Sequence, residues 1–228
     1  MKTAPTRSRT NALKLKASCA LAVAVLFCGT VLAKQPPPTL PGGLTRVHSS
    51  KVALAYVRPG TVWTSYKTIL LRPLSVPPNA RNAAPPGQTA GFGESYLLTN
   101  ADVARLQQDF AKSMHNVLGN AGFKFVTTPQ AGTLIVIPQL VKIDLNAPLY
   151  NTRATYAGMG FTVSQGGGSI TMAAVLADGG TGKVIAEVLD RKYGSNIWQI
   201  NNSVNNLAEA REIFDQWAND LSDKLTSN

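Results

Sequence analysis

The chain has 228 residues, 44% of them hydrophobic and 15% charged, and a formal net charge of +10. Both cysteines, Cys19 and Cys28, fall within the first 33 residues, so the remainder holds neither a disulfide framework nor thiolate chemistry. No run of five or more cations and no basic stripe interleaved with aromatics is present, which excludes a nucleic-acid reader.

Residues 1–33 read as an export signal. Lys2, Arg7, Arg9, Lys14 and Lys16 precede an apolar stretch from Ala17 to Leu32, and Val31-Leu32-Ala33 offers small side chains at the cut site before Lys34. The apolar stretch is shorter than the roughly 20 residues of a bilayer-spanning helix. Cleavage between Ala33 and Lys34 therefore predicts a periplasmic or secreted protein. A retained leader would leave it anchored in the inner membrane. A lipid anchor fits poorly, because Cys28 follows the bulky Phe27 and Cys19 precedes the apolar run. Without the five leader cations the net charge is +5.

Residues 34–51 contain Pro36-Pro37-Pro38, Pro41 and Gly42-Gly43 and are expected to form a disordered arm. A single α+β domain is expected over 52–228. Val52–Val57 and Thr68–Leu74 read as strands. The Pro- and Gly-rich stretch from Pro77 to Ser95 predicts a flexible loop. Thr99 or Asn100 caps a helix over about 99–121, with Asp102 in its first turn and a stripe of Val103, Leu106, Phe110, Met114 and Val117.

Thr133–Leu145 predicts a central strand. Ile135, Ile137, Val141, Ile143 and Leu145 would share one face and Leu134, Val136 and Leu140 the other, with Pro138 marking a bulge or an unpaired stretch. Ser169–Asp178 and Lys183–Tyr193 flank Gly179-Gly180-Thr181-Gly182, a hairpin signal. A last helix over about 204–225 carries Leu207, Ala210, Phe214, Trp217, Leu221 and Leu225. The expected architecture is a mainly antiparallel sheet of about four to six strands with both helices on one face.

Catalytic chemistry is hard to assemble from these residues. His48 lies in the arm and His115 on the flank of the first helix, so neither supplies an oriented imidazole for a triad or a metal. Gly179–Lys183 lacks the spacing of a phosphate loop and joins strand to strand. Gly166-Gly167-Gly168 reads as a flexible lead into a strand. Among the acids, Glu187 and Asp190 stand three apart on one strand, on opposite faces. Glu209, Glu212, Asp220 and Asp223 lie mostly off the last helix's stripe, as solvated charges do.

Asp190 shares a face with apolar neighbours and precedes Arg191, which suggests a buried ion pair. Trp217 and Phe214 are core by spacing. Trp63, Tyr66 and Trp198 sit near loops, where they pack at the sheet edge or line a groove. Arg58, Arg72, Asp190 and Arg191 are the candidate structural or binding residues. No catalytic residue, cofactor or metal is expected.

Tyr56-Val57-Arg58-Pro59-Gly60, Tyr66-Lys67 with Ile69-Leu70-Leu71-Arg72-Pro73, the turn from Asp178 to Gly182 followed by Ala186 and Leu189-Asp190-Arg191, and Phe214-Asp215-Gln216-Trp217-Ala218 together resemble domain-of-unknown-function family 3313. The resemblance covers about Val52 to Leu225. It implies a bacterial envelope protein, often a lipoprotein, with no catalytic residues to carry over; this chain departs from that pattern in lacking a lipobox. The leader, the missing catalytic constellation and the resemblance predict a non-catalytic binding or structural module whose partner is an envelope component or periplasmic protein. The alternatives are an envelope hydrolase built on Asp190 and Glu187, or a self-associating scaffold subunit.

Overall fold

The structure is a computed structural model that describes residues 35–84, 94–151, 162–195, 198–201 and 203–227. The leader, the Ala33–Lys34 junction and residues 85–93 of the expected loop lie outside it.

The edge of the sheet starts earlier than composition suggests. Strands β1 (Thr39–Leu40) and β2 (Leu44–Val47) form inside the segment expected to be a disordered arm, and Leu44 is fully buried. Gly42 and Gly43 both take positive φ and turn the chain between the two strands. Next come β3 (Leu54–Val57), a 3-10 turn at Trp63–Ser65 and β4 (Thr68–Leu71). Strand β5 (Glu94–Ser95) precedes α1 (Asn100–Asn120), which is followed by β6 (Lys124–Phe125), β7 (Thr133–Leu145) and β8 (Tyr150–Asn151). Strands β9 (Thr162–Gln165), β10 (Gly168–Asp178), β11 (Val184–Tyr193) and β12 (Trp198–Asn201) lead to α2 (Ser203–Thr226).

Among the described residues, eight strands form one sheet in the order β1-β2-β3-β11-β10-β7-β4-β6. The class is α+β, as the sequence suggests, but the sheet is larger than four to six strands and it is mixed. β4 runs parallel to both β6 and β7. Parallel neighbours need a long crossover, and the connection through α1 supplies it. Two-residue strands such as β1 and β6 are too short to leave a periodic signature, which accounts for the undercount.

Strand β7 is displaced in phase from its expected pattern. Leu134, Val136, Pro138 and Leu140 are the buried set in its first half, and Ile143 and Leu145 continue it. The change of phase falls at Val141: Thr171 pairs with Lys142 but Met172 pairs with Leu140, so Val141 is the extra residue of a bulge and is exposed. Pro138 sits at a different irregularity. Arg72 donates its N–H to Val136 O and Ser75 donates to Pro138 O, so the proline lies where β4 leaves the ladder and no donor is required.

The helix over 99–121 forms as its capping signals require. Thr99 Oγ1 accepts from Asp102 N at 3.2 Å while Asp102 Oδ2 accepts from Thr99 N at 2.8 Å, a reciprocal capping box. The two helices meet through Phe110 and Phe214, edge to face with ring centroids 5.3 Å apart, and Arg211 of α2 pairs with Asp109 of α1 at 3.0 Å. Phe110 and Phe214 belong to the same buried cluster as Leu134, Leu140 and Ile170 of the sheet. Phe214 is wholly buried. Phe214→Ala is expected to lower the unfolding free energy by about 3–5 kcal/mol, measured by urea titration followed by far-UV circular dichroism.

Candidate functional site

The strands facing α2 carry small side chains where a packed interface would need large ones. Ala55 on β3, Ala174 on β10 and Ala186 on β11, with Val57, Val136 and Val188 beside them, form the floor of a cavity of about 310 Å³. Phe110 and Met114 of α1 and Trp217 and Leu221 of α2 line it from the helix layer. Ala174 and Val188 are only half-buried although both sit mid-strand in the sheet's interior. Protein interiors are close-packed, with few voids larger than a water molecule, so a space of this size is a feature of the fold.

The strap of residues 48–53, between β2 and β3, borders the cavity through His48, Ser49, Lys51 and Val52. Ser49 Oγ accepts from Lys51 N at 3.1 Å and from Val52 N at 3.3 Å, which turns the strap. Its link to α2 is ionic: Lys51 Nζ reaches Asp223 and lies 3.8 Å from Asp220. The hydrogen bond to Asp223 is the main reason the Lys51 ammonium is held above its ordinary pKa. Further along α2, Lys224 Nζ stands 5.5 Å from the centre of the Trp63 ring, a cation–π pair at the same end of the cavity.

Of the four residues singled out from sequence, Asp190 is the one that shapes this site. Its Oδ2 accepts from Trp217 Nε1 at 2.8 Å and its Oδ1 from Ala53 N at 2.9 Å. Lys192 Nζ adds charge at 3.5 Å from Asp190 and 2.8 Å from Asp220. Arg191 is not its partner. Adjacent strand residues point to opposite faces, and Arg191 donates instead to Ser169 Oγ at 2.8 and 3.0 Å and to Asp144 Oδ2 at 3.0 Å.

Arg58 donates from Nε and Nη2 to Val184 O at 2.9 and 2.8 Å, pinning the start of β11, and the Arg72 side chain is exposed. Neither lines the cavity. Glu187 and Asp190 lie on opposite faces of β11 and are not brought together.

Two further expectations are corrected. Glu209 is not a solvated helix charge. It is buried and accepts from Gly167 N and from Ser195 Oγ at 2.9 Å. The glycines around it are therefore more than a flexible lead: a Cβ at Gly167 or Gly194 would run into its carboxylate. Tyr66 follows the packing alternative rather than the groove: it is buried against the hairpin turn, where its hydroxyl donates to Asp178 Oδ2 at 3.3 Å. The Trp198 side chain lies outside the described residues. His115 is exposed on α1 as expected, its ring against Phe125 with centroids 3.7 Å apart.

The hairpin turn itself is as expected, with Thr181 N and Oγ1 both donating to Asp178 Oδ1 at 2.7 and 2.6 Å. The cavity residues carried one signal in the sequence: alanines at positions 55, 174 and 186 in three strands that pair side by side, where alanine is a poor strand former.

The fold and site define a two-layer α+β domain with a helix pair over a mixed sheet and an apolar cavity between the layers. The chain belongs to the family described as protein of unknown function DUF3313, whose match spans residues 42–221. No curated protein matches it. Among solved structures it is similar to a Xanthomonas campestris protein of family DUF330, at 14% identity and a TM-score of 0.39, covering 74% of this chain and 90% of that one. A PelC dodecamer from Paraburkholderia phytofirmans is similar at 9% identity and a TM-score of 0.35, covering 71% of this chain and 94% of that one.

Removing the Asp190 carboxylate strands the buried Trp217 Nε1 donor, which costs roughly 1–3 kcal/mol, and releases the Ala53 N–H, which lies on the exposed strap. Asp190→Ala is expected to destabilise the protein and shift Trp217 emission, whereas Asp190→Asn, which keeps an acceptor oxygen, loses less. Denaturant titration with fluorescence detection reads both.

Burial, followed by the Asp178 charge, raises the Tyr66 pKa to about 12 from the ordinary 10.0. The folded state thus favours the protonated phenol. Its contribution is complete below about pH 10 and is lost as pH rises through about 12. The stability difference between the wild type and Tyr66→Phe should therefore be constant from pH 7 to about 10 and shrink above it, in urea titrations at stepped pH.

Proposed function

We propose that this protein is an exported, non-catalytic binding module of the bacterial envelope, and that the cavity between α2 and the sheet is its ligand site. The observation that carries this reading is the cavity of about 310 Å³, floored by alanines and valines and bordered by charged groups at one end. Ligand pockets have this character, mostly apolar walls with a few placed polar groups, and volumes of roughly 300–1,000 Å³. The carboxylate that lines it, Asp220, is engaged by Lys51 and Lys192, and Asp190, behind Trp217, is committed to Trp217 and Ala53 as a structural acceptor.

The leader supports an envelope location, with cleavage after Ala33 releasing a chain that begins at Lys34 in the periplasm. The partner is then an envelope component small enough to enter the cavity.

Protein recovered from cells expressing the full chain should take up the neutral fluorophore N-phenylnaphthylamine, one per chain, with enhanced emission. Ala174→Phe, which fills the floor, should abolish uptake while retaining the circular dichroism of the wild type. Absence of uptake by the wild type, or undiminished uptake by the variant, would refute the site. N-terminal sequencing of protein from the periplasmic fraction should begin at Lys34; a chain retained in the membrane fraction with residue 1 or 2 at its terminus would refute the location.

A further inference from the structure

We infer that the cavity takes a single-chain amphiphile with an anionic head, its chain lying over Ala174 and Ala186 and its head beside Lys224. This inference rests on the binding reading above and adds the chemistry of the ligand.

Polarity in the cavity is segregated. Phe110, Met114, Met172 and Leu176 line it with carbon and sulfur, whereas Lys51, Asp220 and Lys224 enter from the strap and the last two turns of α2. A ligand matching this surface is apolar along its length and polar at one end. The volume sets its size. At ~30 Å³ per water-sized group, about 310 Å³ holds on the order of ten such groups. That is the scale of one chain of about ten carbons.

The sign of the head follows from the charges at the open end. Lys51 is engaged by Asp220 and Asp223, and Lys192 by Asp190 and Asp220. Lys224 is exposed and stands against the Trp63 ring, with no carboxylate in ion-pair distance among the described residues. A carboxylate or phosphate head placed there gains a cation that no internal acid claims. A cationic head would compete with Lys51 and Lys192 for acids that are already paired. The net charge of +5 left without the leader adds a field favouring anions at this rim.

The test compares three ten-carbon probes that differ only in the head, decanoate, decanol and decyltrimethylammonium, each below its micelle concentration, by isothermal titration calorimetry. Trp63 and Trp217 line the cavity, so their fluorescence gives a second readout. Decanoate is expected to bind one per chain, more tightly than decanol, with decyltrimethylammonium weakest. Lys224→Glu should weaken decanoate roughly five- to tenfold, the scale of an exposed charge contact reversed, and leave decanol unchanged. Ala174→Phe should remove binding of all three; Val188→Phe, on the neighbouring strand, does the same job if the first variant fails to fold.

Decanol binding as tightly as decanoate, or a Lys224→Glu variant with unaltered decanoate affinity, would overturn the anionic head while the cavity reading stands. No binding of any probe, in protein that also excludes N-phenylnaphthylamine, would overturn both. Uptake of N-phenylnaphthylamine without any of the three chains would overturn the amphiphile and leave the cavity.

Discussion

The Asp190 carboxylate joins three parts of the molecule that the backbone alone leaves separate: strand β11, the indole of Trp217 on α2, and the strap at Ala53. Both oxygens are used, and the group is nearly inaccessible to water. In that setting each hydrogen bond is stronger than at the surface, and each missing partner would cost more. Lys192 keeps the buried charge from standing alone. The orientation of Trp217, and with it one wall of the cavity, depends on this acceptor.

Why the cavity survives is a related question, because a helix over an alanine-rich floor would ordinarily settle onto it. Helix α2 is held by polar attachments at several points along its length. Glu209, in its first half, is gripped by Gly167 N and Ser195 Oγ at the ends of β10 and β11. Trp217, near the middle, is fixed to Asp190, while Asp220 and Asp223 in the last turns meet Lys192 and Lys51. Hydrogen bonds demand particular distances, whereas apolar contact rewards any closer approach. Anchors of the first kind hold the helix at a set height, and Phe110 against Phe214 fixes it sideways against α1. The space over Ala174 and Ala186 is what that height leaves.

Local chemistry was readable in the sequence, and long-range geometry was not. Thr99 with Asp102 announced α1, and Gly179 to Gly182 announced the hairpin, because a cap or a turn is decided within four residues. The parallel placement of β4 against β7 depends on where α1 returns the chain, and no pattern within either strand encodes it. The bulge at Val141 escaped notice for a related reason. Pro138 is the residue that looks disruptive, yet a missing N–H is harmless where β4 has already left the ladder, while Val141 is an ordinary strand residue made extra only by its neighbour's register. The Leu44 strand was hidden by flanking prolines and glycines whose composition resembles a linker. Of the candidate site, Asp190 was visible as a polar residue on an apolar face, but its partners lie 27 and 137 residues away in sequence and could not be named from it.

Glu209 shows the same limit from the other side. On a helical wheel it falls beside charged neighbours, and Gly166 to Gly168 look like slack in the chain. Together they form a socket: the absence of side chains at Gly167 and Gly194 is what lets a carboxylate reach the Gly167 N–H before β10 and the Ser195 hydroxyl after β11. A glycine cluster and an acid more than 40 residues downstream are each unremarkable alone. Their meeting sets the standoff of α2 at one end as Asp190 sets it further along, so the polar residues that a core-and-surface reading discards are the ones that keep the apolar cavity open.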